Sequence, residues 1–321
     1  MSKSLRTLVL VFAAGLALPL LIKSEPAEDN SPPPAASEVI DLPTADVPQT
    51  VSVLTPDGIA DMDMQEYLVG VVSAEMPALF EPEALKAQAV AARTYAMYCA
   101  GKHGDAQVCT DYACCQAWQS DSELRDKWGD DYDAYIEKIR SAVAATDGVY
   151  LGRGGEPILA AFHASSSGAT ENCTDVWGGA EYLVSVTSPE TADDVPNFVS
   201  TVICTKLDFR DIILSAHPEA DMTGEAETWI EGLTRDAAGR VCECRIGGVQ
   251  IPGTAVRTLF SLRSTDFELV YDGESFVFTV SGSGHGIGMS QYGANVMAQN
   301  GSTWQEILAH YYPNAELIGA Q

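Results

Sequence analysis

The sequence EALKAQAVAARTYAMYCA, residues 83–100, contains seven alanines and neither glycine nor proline. Alanine has the highest helix propensity, so this stretch predicts a long helix. Its small side chains permit close packing against a neighbouring element. The apolar residues at helical spacing predict one buried stripe, formed by Leu85, Ala89, Ala92, Ala96 and Cys99.

Weaker patterns on both sides of this helix define the class of fold. A strand is predicted at 50–54, and helices at 64–74, 131–145 and 302–311. Strand-like runs follow at 149–151, 158–163, 182–186, 199–204, 243–246 and 276–280. Helices first and mostly strands afterwards predict an α+β fold rather than a regular βαβ succession.

The N-terminus predicts an export signal or a membrane anchor. Lys3 and Arg6 precede the uncharged and mostly apolar residues 7–22. The residues after this run form a poor cleavage site, which favours an uncleaved single-span anchor at 1–23. A proline-rich tether at 24–48 then leads to one domain at 49–321, on the extracytoplasmic side if the two cations stay inside.

The overall composition excludes several classes of protein. The 321 residues include 46% hydrophobic residues, which argues against a disordered chain, a collagen and a multi-span membrane protein. Acidic side chains number 45 against 18 basic ones, for a formal net charge of −27. Binding to nucleic acid is therefore not expected, because it needs a basic surface.

The segment YLVGVVSAEMP, residues 67–77, contains a single acid in apolar surroundings. A glutamate near a helix end is most often a solvated surface residue. Glu75, however, lies among Val, Ala and Met and directly before a proline stop. Such surroundings could desolvate the carboxyl group and raise its pKa into the range of a general acid.

The segment GSGHGIGMSQYG, residues 282–293, has five glycines in twelve residues. Glycine allows positive φ and close backbone approach, so this segment is either a tight structural turn or a shaped binding loop. It lacks the lysine that follows the glycines of a P-loop. A nucleotide-binding site is also not expected in an exported protein. A sugar, with its many hydroxyl groups, fits its polar side chains better: His285, Ser290, Gln291 and Tyr292.

Three of the eight cysteines lie close in sequence to a histidine and could bind a metal ion with it. His103, Cys109, Cys114 and Cys115 form a His-x5-Cys-x4-Cys-Cys pattern. Three thiols and one imidazole could complete a tetrahedral zinc site, which would be structural because no position remains for water. Disulfides are the alternative in an exported protein, and the spacing alone favours neither.

Taken together, these motifs resemble the SpoIID/LytB family of bacterial sporulation proteins. The resemblance runs in order through YLVGVVSAEMP, EALKAQAVAARTYA, FHASSSGATENCTDVWGG (residues 162–179) and GHGIGMSQYGA, and spans nearly all of residues 50–318. It implies a membrane-anchored, mixed helix and strand domain with two lobes around a glycan cleft.

The resemblance also implies an activity, since the best-known branch consists of lytic transglycosylases that cut peptidoglycan during forespore engulfment. In that branch the catalytic acid is the glutamate of the Glu-Met-Pro motif, which corresponds to Glu75. We expect one carboxylate to suffice, because the C6 hydroxyl of the sugar replaces water as the nucleophile. Arg93, His285, Ser290, Gln291 and Tyr292 are the expected substrate-binding residues.

For the cysteines, the resemblance favours zinc. Some relatives bind zinc through a His-x5-Cys-x4-His-Cys pattern, and Cys114 stands at the position of the second histidine. Cysteine is an equally good ligand, so structural zinc is expected at His103, Cys109, Cys114 and Cys115. The remaining possible disulfide partners are Cys173, Cys204, Cys242 and Cys244.

The expected partners follow from the same family. They are peptidoglycan glycan strands, a sporulation amidase that strips stem peptides, and a membrane scaffold protein, with the chain in the mother-cell membrane. Two other functions remain open. One is a non-catalytic, glycan-binding enhancer of an amidase, and the other is a zinc-dependent hydrolase, against which a closed set of four ligands argues.

Overall fold

The computed structural model describes residues 43–320. The predicted anchor and most of the predicted tether lie outside these residues. Across the described range, every helix is too short or too polar to cross a membrane. Helices and short strands are mixed throughout, which confirms the α+β class.

The elements are numbered in chain order. The helices are α1 (Met64–Glu75), α2 (Pro82–Tyr98), α3 (Asp121–Trp128), α4 (Tyr132–Ala144), α5 (Cys173–Val176), α6 (Lys206–Ala216), α7 (Gly253–Leu259), α8 (Gln291–Gln299) and α9 (Trp304–Tyr311). The strands are β1 (Thr44–Ala45), β2 (Thr50–Thr55), β3 (Gly58–Asp63), β4 (Val108–Cys109), β5 (Tyr150–Arg153), β6 (Glu156–Pro157), β7 (Phe162–His163), β8 (Val199–Thr205), β9 (Ile230–Arg235), β10 (Val241–Ile246), β11 (Val249–Pro252), β12 (Phe267–Tyr271), β13 (Ser275–Ser281), β14 (Met289–Ser290) and β15 (Glu316–Ala320).

Helix α2 is the centre of the first hydrophobic core. It begins with Pro82, whose fixed φ suits the first position of a helix. The prediction of one buried stripe was too narrow, because α2 is buried around most of its circumference. Helices α1, α4, α8 and α9 and strand β5 all pack on it. Its alanines allow so many neighbours to approach closely.

Helix α1 delivers Glu75 to a defined place. The Asp63 side chain accepts hydrogen bonds from the backbone N–H groups of Gln65 and Glu66 and so begins the helix. At the other end, Met76 is extended, with φ −118° and ψ 146°, as expected for a residue before proline. Glu75 is therefore the last helical residue.

Four short strands form a sheet in the order β1-β15-β5-β6 beside the first core. Strand β1 pairs in parallel with the end of β15, with Thr44 opposite Gly319. The folded unit thus includes residues that the sequence assigned to the tether. A second sheet, β3-β2-β4, contributes Val51 and Val53 to the same core.

A second hydrophobic core lies among the elements from β8 to β13. Aromatic rings fill it, and the rings of Phe209 and Phe276 stack with their centroids 3.8 Å apart. The sheets β12-β13-β8 and β11-β10-β9 surround these rings together with α6 and α7. The described residues therefore contain two separate hydrophobic cores, while the expected division into two lobes stays a prediction.

One predicted strand does not form. Residues 182–186 have no regular pairing, because the residues opposite them, 170–172, form an irregular segment that leads directly into α5. Only isolated bonds join them, such as Thr170 N–H to Val186 O and Cys173 N–H to Leu183 O. Helices α3, α6, α7 and α8 were not predicted.

Candidate active site

Glu75 lies at the end of α1 and is half-buried. Its Oε1 accepts a hydrogen bond of 2.6 Å from the backbone N–H of Ala117, and its Oε2 accepts one of 3.4 Å from Gln291 Nε2. Burial raises the pKa of Glu75, although both hydrogen bonds favour the carboxylate and oppose this effect. A carboxyl group with a raised pKa is suited to donate a proton.

The Glu75 carboxyl group opens onto a cavity of about 340 Å³. The residues that line this cavity include Phe162 and His163 of β7, Arg257 of α7, and His285. Of the acidic residues between 43 and 320, Glu75 alone lines it. The cavity therefore offers a single carboxyl group for acid–base chemistry.

The glycine-rich segment at 282–293 approaches the first core closely, as its composition suggests. Gly288 has φ +70°, and a Cβ there would overlap the carbonyl oxygen of Ala161. Immediately afterwards, β14 pairs in parallel with β7, and α8 begins at Gln291. The segment is thus a loop in its first half and a strand and helix start in its second half.

His285 lies on the loop half of this segment and lines the cavity. Its Nδ1 accepts a hydrogen bond of 3.1 Å from the backbone N–H of Ile287. Burial, together with the positive charges of Arg257 and Arg240, lowers the pKa of His285 to about 3. The imidazole is therefore neutral near neutral pH and can act as a hydrogen-bonding group but not as a cation.

Trp177 presents an aromatic surface next to His285. Its side chain is 51% exposed, and its ring centroid lies 4.6 Å from that of His285. Trp177 lines both the cavity at Glu75 and a neighbouring cavity of about 530 Å³. An exposed indole between two cavities provides a flat apolar surface on which a sugar ring can stack.

The other predicted residues of this segment have internal partners. Gln291 is 5% exposed and contacts Glu75, as described above. Ser290 is fully buried and caps α8 by accepting a hydrogen bond from Gly293 N–H. Tyr292 packs edge-to-face on Phe80, with ring centroids 4.9 Å apart. Neither Ser290 nor Tyr292 lines the cavity.

Arg93 lies away from the cavity. It is 0% exposed, and its Nη1 donates hydrogen bonds of 2.7 Å and 2.9 Å to the carbonyl oxygens of Thr146 and Val149. These bonds join α2 to the segment after α4. The structure thus gives Arg93 a role inside the core and does not bring it together with Glu75.

The four predicted metal ligands come together in space. Each offers one donor atom, and the four atoms lie within 4.8 Å of one another. His103 Nε2 is 3.1 Å from Cys115 Sγ and 3.8 Å from Cys114 Sγ. Ligands about 2.0–2.3 Å from a central zinc ion have separations of this order, so the donor set fits the metal. Cys114 and Cys115 also line the cavity at Glu75.

All eight cysteines fall within residues 43–320, and none of them forms a disulfide. The possible disulfides among Cys173, Cys204, Cys242 and Cys244 are therefore not found. Cys173 belongs to the first core, whereas Cys204 and Cys244 belong to the second. Cys173 is thus separated from Cys204 and Cys244 because it lies in a different core.

Comparison with known proteins agrees with this arrangement. Stage II sporulation protein D of Bacillus amyloliquefaciens is 35% identical over 268 residues, which cover 82% of this chain and 76% of that protein. The protein of the same name from Bacillus subtilis (strain 168) is 35% identical over 269 residues, with the same coverage of 82% and 76%. This chain belongs to the SpoIID family. The SpoIID family model, described as "Stage II sporulation protein", matches residues 55–152.

A more distant similarity extends beyond stage II sporulation protein D. The "Amidase enhancer" of Bacillus subtilis (strain 168) is 27% identical over 301 residues, which cover 78% of this SpoIID-family chain but only 40% of that protein. Membership in the SpoIID family associates the chain with sporulation.

Sequence reasoning missed three residues that the SpoIID structure brings into or behind the site. Trp177 belongs to the family segment at residues 162–179, and its aromatic ring was the signal that could have indicated a sugar-binding surface. Arg257 and Glu190 lie outside every motif, so only the fold reveals them. Glu190 is 3% exposed and accepts hydrogen bonds from Ser166 N–H and from the hydroxyl groups of Ser188 and Ser290.

Glu190→Gln tests whether this buried carboxylate positions the start of α8. An amide cannot accept all three hydrogen bonds, so we expect the free energy of unfolding to fall by about 2 kcal/mol. Displacement of Ser290 would also move the adjacent Gln291, and we expect kcat to fall about tenfold. Urea unfolding and strand-cleavage kinetics measure the two effects, with Glu219→Gln, an exposed position, as the control. An unchanged kcat would limit Glu190 to a structural role.

Proposed function

We propose that the chain is a lytic transglycosylase that cleaves peptidoglycan glycan strands. The observation that carries this proposal is the single carboxyl group in a cavity large enough for a sugar residue. Glycoside hydrolysis by the common mechanisms uses two carboxyl groups on opposite sides of the bond. Among residues 43–320, the cavity supplies Glu75 and no second acid. One acid is sufficient if the nucleophile comes from the substrate.

The reaction needs two proton transfers, one from Glu75 to the substrate and one from the substrate back to Glu75. Protonated Glu75 gives its proton to the glycosidic oxygen as the bond from C1 of N-acetylmuramic acid breaks. The resulting carboxylate then accepts the proton of the C6 hydroxyl group of the same sugar, whose oxygen bonds to C1. The products are a strand ending in a 1,6-anhydro ring and a strand with a free 4-hydroxyl group. Glu75 is again protonated, and no water is consumed.

Neighbouring groups would hold the strand in place for this reaction. Trp177 offers a stacking surface, and the neutral His285 offers hydrogen bonds without adding charge. The absence of an imidazolium ion suits a transition state in which positive charge develops on the sugar. Gln291 and the Ala117 N–H group orient the carboxyl group of Glu75.

Product analysis tests the proposal directly. Peptide-free strands incubated with the full chain should yield ends containing 1,6-anhydro-N-acetylmuramic acid in mass spectrometry. Reducing ends would indicate hydrolysis and would contradict the mechanism. Binding without cleavage would support a second candidate function, a glycan-binding enhancer of an amidase, which the similarity to the "Amidase enhancer" favours.

The pH dependence of cleavage should follow Glu75. The pKa of Glu75 is raised, so its protonated form persists to higher pH than that of an ordinary carboxyl group. Activity is expected to fall as the pH rises through this pKa, because the carboxylate has no proton to donate. The imidazoles of His163 and His285 have lowered pKa values and stay neutral in this range.

The variant Gln291→Ala sharpens this test. It removes a hydrogen bond that favours the carboxylate, so the alkaline limb of kcat/KM should move to higher pH. Profiles of both proteins on peptide-free strands provide the measurement. A shift to lower pH, or a profile that is flat above neutrality, would contradict the role of Glu75 as the acid.

A structural zinc ion at His103, Cys109, Cys114 and Cys115 is part of the proposal. The donor set and its separations support it. Zinc would supply a fixed positive centre that holds together residues 103–115, with all four positions occupied by protein. Ala117, which binds Glu75, follows directly after this segment.

The setting of the reaction is likewise proposed from the family. The chain would act outside the cytoplasm in the mother-cell membrane, anchored through residues 1–23. An amidase would remove stem peptides first, and a membrane scaffold protein would hold both enzymes. Similarity to the "Amidase enhancer" supports an amidase as the partner.

A further inference from the structure

Arg257 on α7 is a cation without an acidic partner. Its Nε donates a hydrogen bond of 3.2 Å to the carbonyl oxygen of Leu262, which fixes the direction of the side chain. Within residues 43–320, no carboxylate lies within ion-pair distance of its guanidinium group. The side chain is half-buried and lines both the cavity at Glu75 and the neighbouring one.

Neither Arg93 nor Arg240, the two fully buried arginines of residues 43–320, lines the cavity at Glu75. Arg240 forms a buried ion pair of 2.9 Å with Glu171, and Arg93 donates to two carbonyl groups. Burial and the charge of Arg240 both lower the pKa of Arg257, so its cationic form is disfavoured where it lies. The chain has a net charge of −27, so acidic side chains that could pair with Arg257 are abundant. Within residues 43–320, none of them is placed to do so.

The positive charge of Arg257 would also oppose the proposed cleavage reaction unless an anion is bound next to it. Cleavage of a glycosidic bond passes through a state with positive charge on the sugar. An uncompensated guanidinium group in the same cavity would raise the energy of that state. A carboxylate from the substrate would remove the conflict, and a guanidinium group binds carboxylates with two parallel hydrogen bonds.

We infer that Arg257 is the residue that binds the free carboxylate of the lactyl group of N-acetylmuramic acid in strands whose stem peptides an amidase has removed. The inference rests on the proposed function. In an intact strand, the lactyl carbonyl is part of an amide and carries no charge. An amidase that hydrolyses this amide leaves a carboxylate three bonds from the sugar ring. Trp177 and His285 line the same two cavities, so a sugar stacked there would present this group to Arg257.

Cleavage of three substrates by the full chain tests the inference. They are intact strands, peptide-free strands, and peptide-free strands whose lactyl carboxylates have been converted to methylamides. Intact strands carry carboxylates on their stem peptides but none on the lactyl group, which separates the two sources of negative charge. The wild-type chain should prefer the peptide-free strand to its methylamide by about 10- to 100-fold in kcat/KM, chiefly through KM.

Variants of Arg257 complete the test. Arg257→Gln should lose this preference and cleave the methylamide as fast as the wild type does, while Arg257→Lys should keep part of it. Arg245→Gln makes the same change at an exposed arginine paired with Glu231 and should behave like the wild type. Equal cleavage of all three substrates by the wild type, or an equal loss on both peptide-free strands in Arg257→Gln, would overturn the inference.

A binding measurement separates this inference from the proposed function. If the wild-type chain cleaves none of the substrates, the proposed transglycosylase activity fails. The affinities of fluorescently labelled peptide-free and methylamide strands then decide the inference alone. A preference for the carboxylate that disappears in Arg257→Gln supports it, and equal affinities refute it.

Discussion

Replacing Glu75 by glutamine is expected to lower kcat for strand cleavage by about 1,000- to 10,000-fold. Glutamine has the same shape and can still accept the hydrogen bond from Ala117 N–H, but it has no proton to give to the glycosidic oxygen. It also cannot accept the C6 hydroxyl proton, so both halves of the reaction are lost. Because the cavity contains no second acid within residues 43–320, no nearby group can replace it.

Stability and binding should be largely unaffected by Glu75→Gln. The change removes a carboxyl group whose ionised form is disfavoured by burial, so Tm should stay the same or rise. Glu66→Gln is the matched control on the same helix, since Glu66 is exposed and pairs with Arg140. Product formation is measured by mass spectrometry and strand affinity by fluorescence. More than a tenth of the wild-type kcat in Glu75→Gln would assign the acid role to another residue.

Removal of the proposed zinc ion is expected to destabilise the chain and to reduce its activity together. A ligand present at a thousandfold above its Kd stabilises a folded protein by about 4 kcal/mol. For a domain of this size, that loss should lower Tm by about 10 °C on chelation or in Cys115→Ser. Activity should fall as well, because Cys114 and Cys115 line the cavity and Ala117 holds Glu75.

The control for the metal is Cys242→Ser, which changes an exposed thiol on β10 that is not one of the four predicted ligands. Its Tm should respond to chelation as the wild type does. Metal analysis should find one zinc ion per chain in the wild type and in Cys242→Ser, and none in Cys115→Ser. Loss of activity on chelation with an unchanged Tm would instead indicate a catalytic metal and would revive the zinc-dependent hydrolase.

Local sequence was sufficient for the elements that depend on local forces. Helix α2 was predicted at 83–100 and forms at Pro82–Tyr98, because alanine content and a proline start act within the segment itself. The same holds for α1, which ends before Pro77. In contrast, the predicted strand at 182–186 does not form, because a strand needs a regular partner and residues 170–172 do not supply one.

The site shows the same division between local and distant effects. Glu75 and the four predicted metal ligands were selected through the family resemblance, because residue type and spacing alone left a solvated glutamate and disulfides as alternatives. The structure places the four predicted ligands close together. Arg93 was predicted to bind substrate from its family motif, yet it satisfies two backbone carbonyl groups inside the core. Ser290 likewise faces Glu190, a hundred residues away in sequence, and not the cavity.

The amino-acid sequence by itself determined the α+β class and the long alanine-rich helix α2, and it indicated Glu75 at the end of α1 and a possible metal site within residues 103–115. These depend on propensity, helix boundaries and ligand chemistry, all of which act over a few residues. Only the tertiary structure decided that Gln291 meets Glu75, that the cavity holds one acid, and that Arg257 faces it without a partner. Such contacts join residues up to 216 positions apart. Their existence depends on how the two cores pack, which no local pattern encodes.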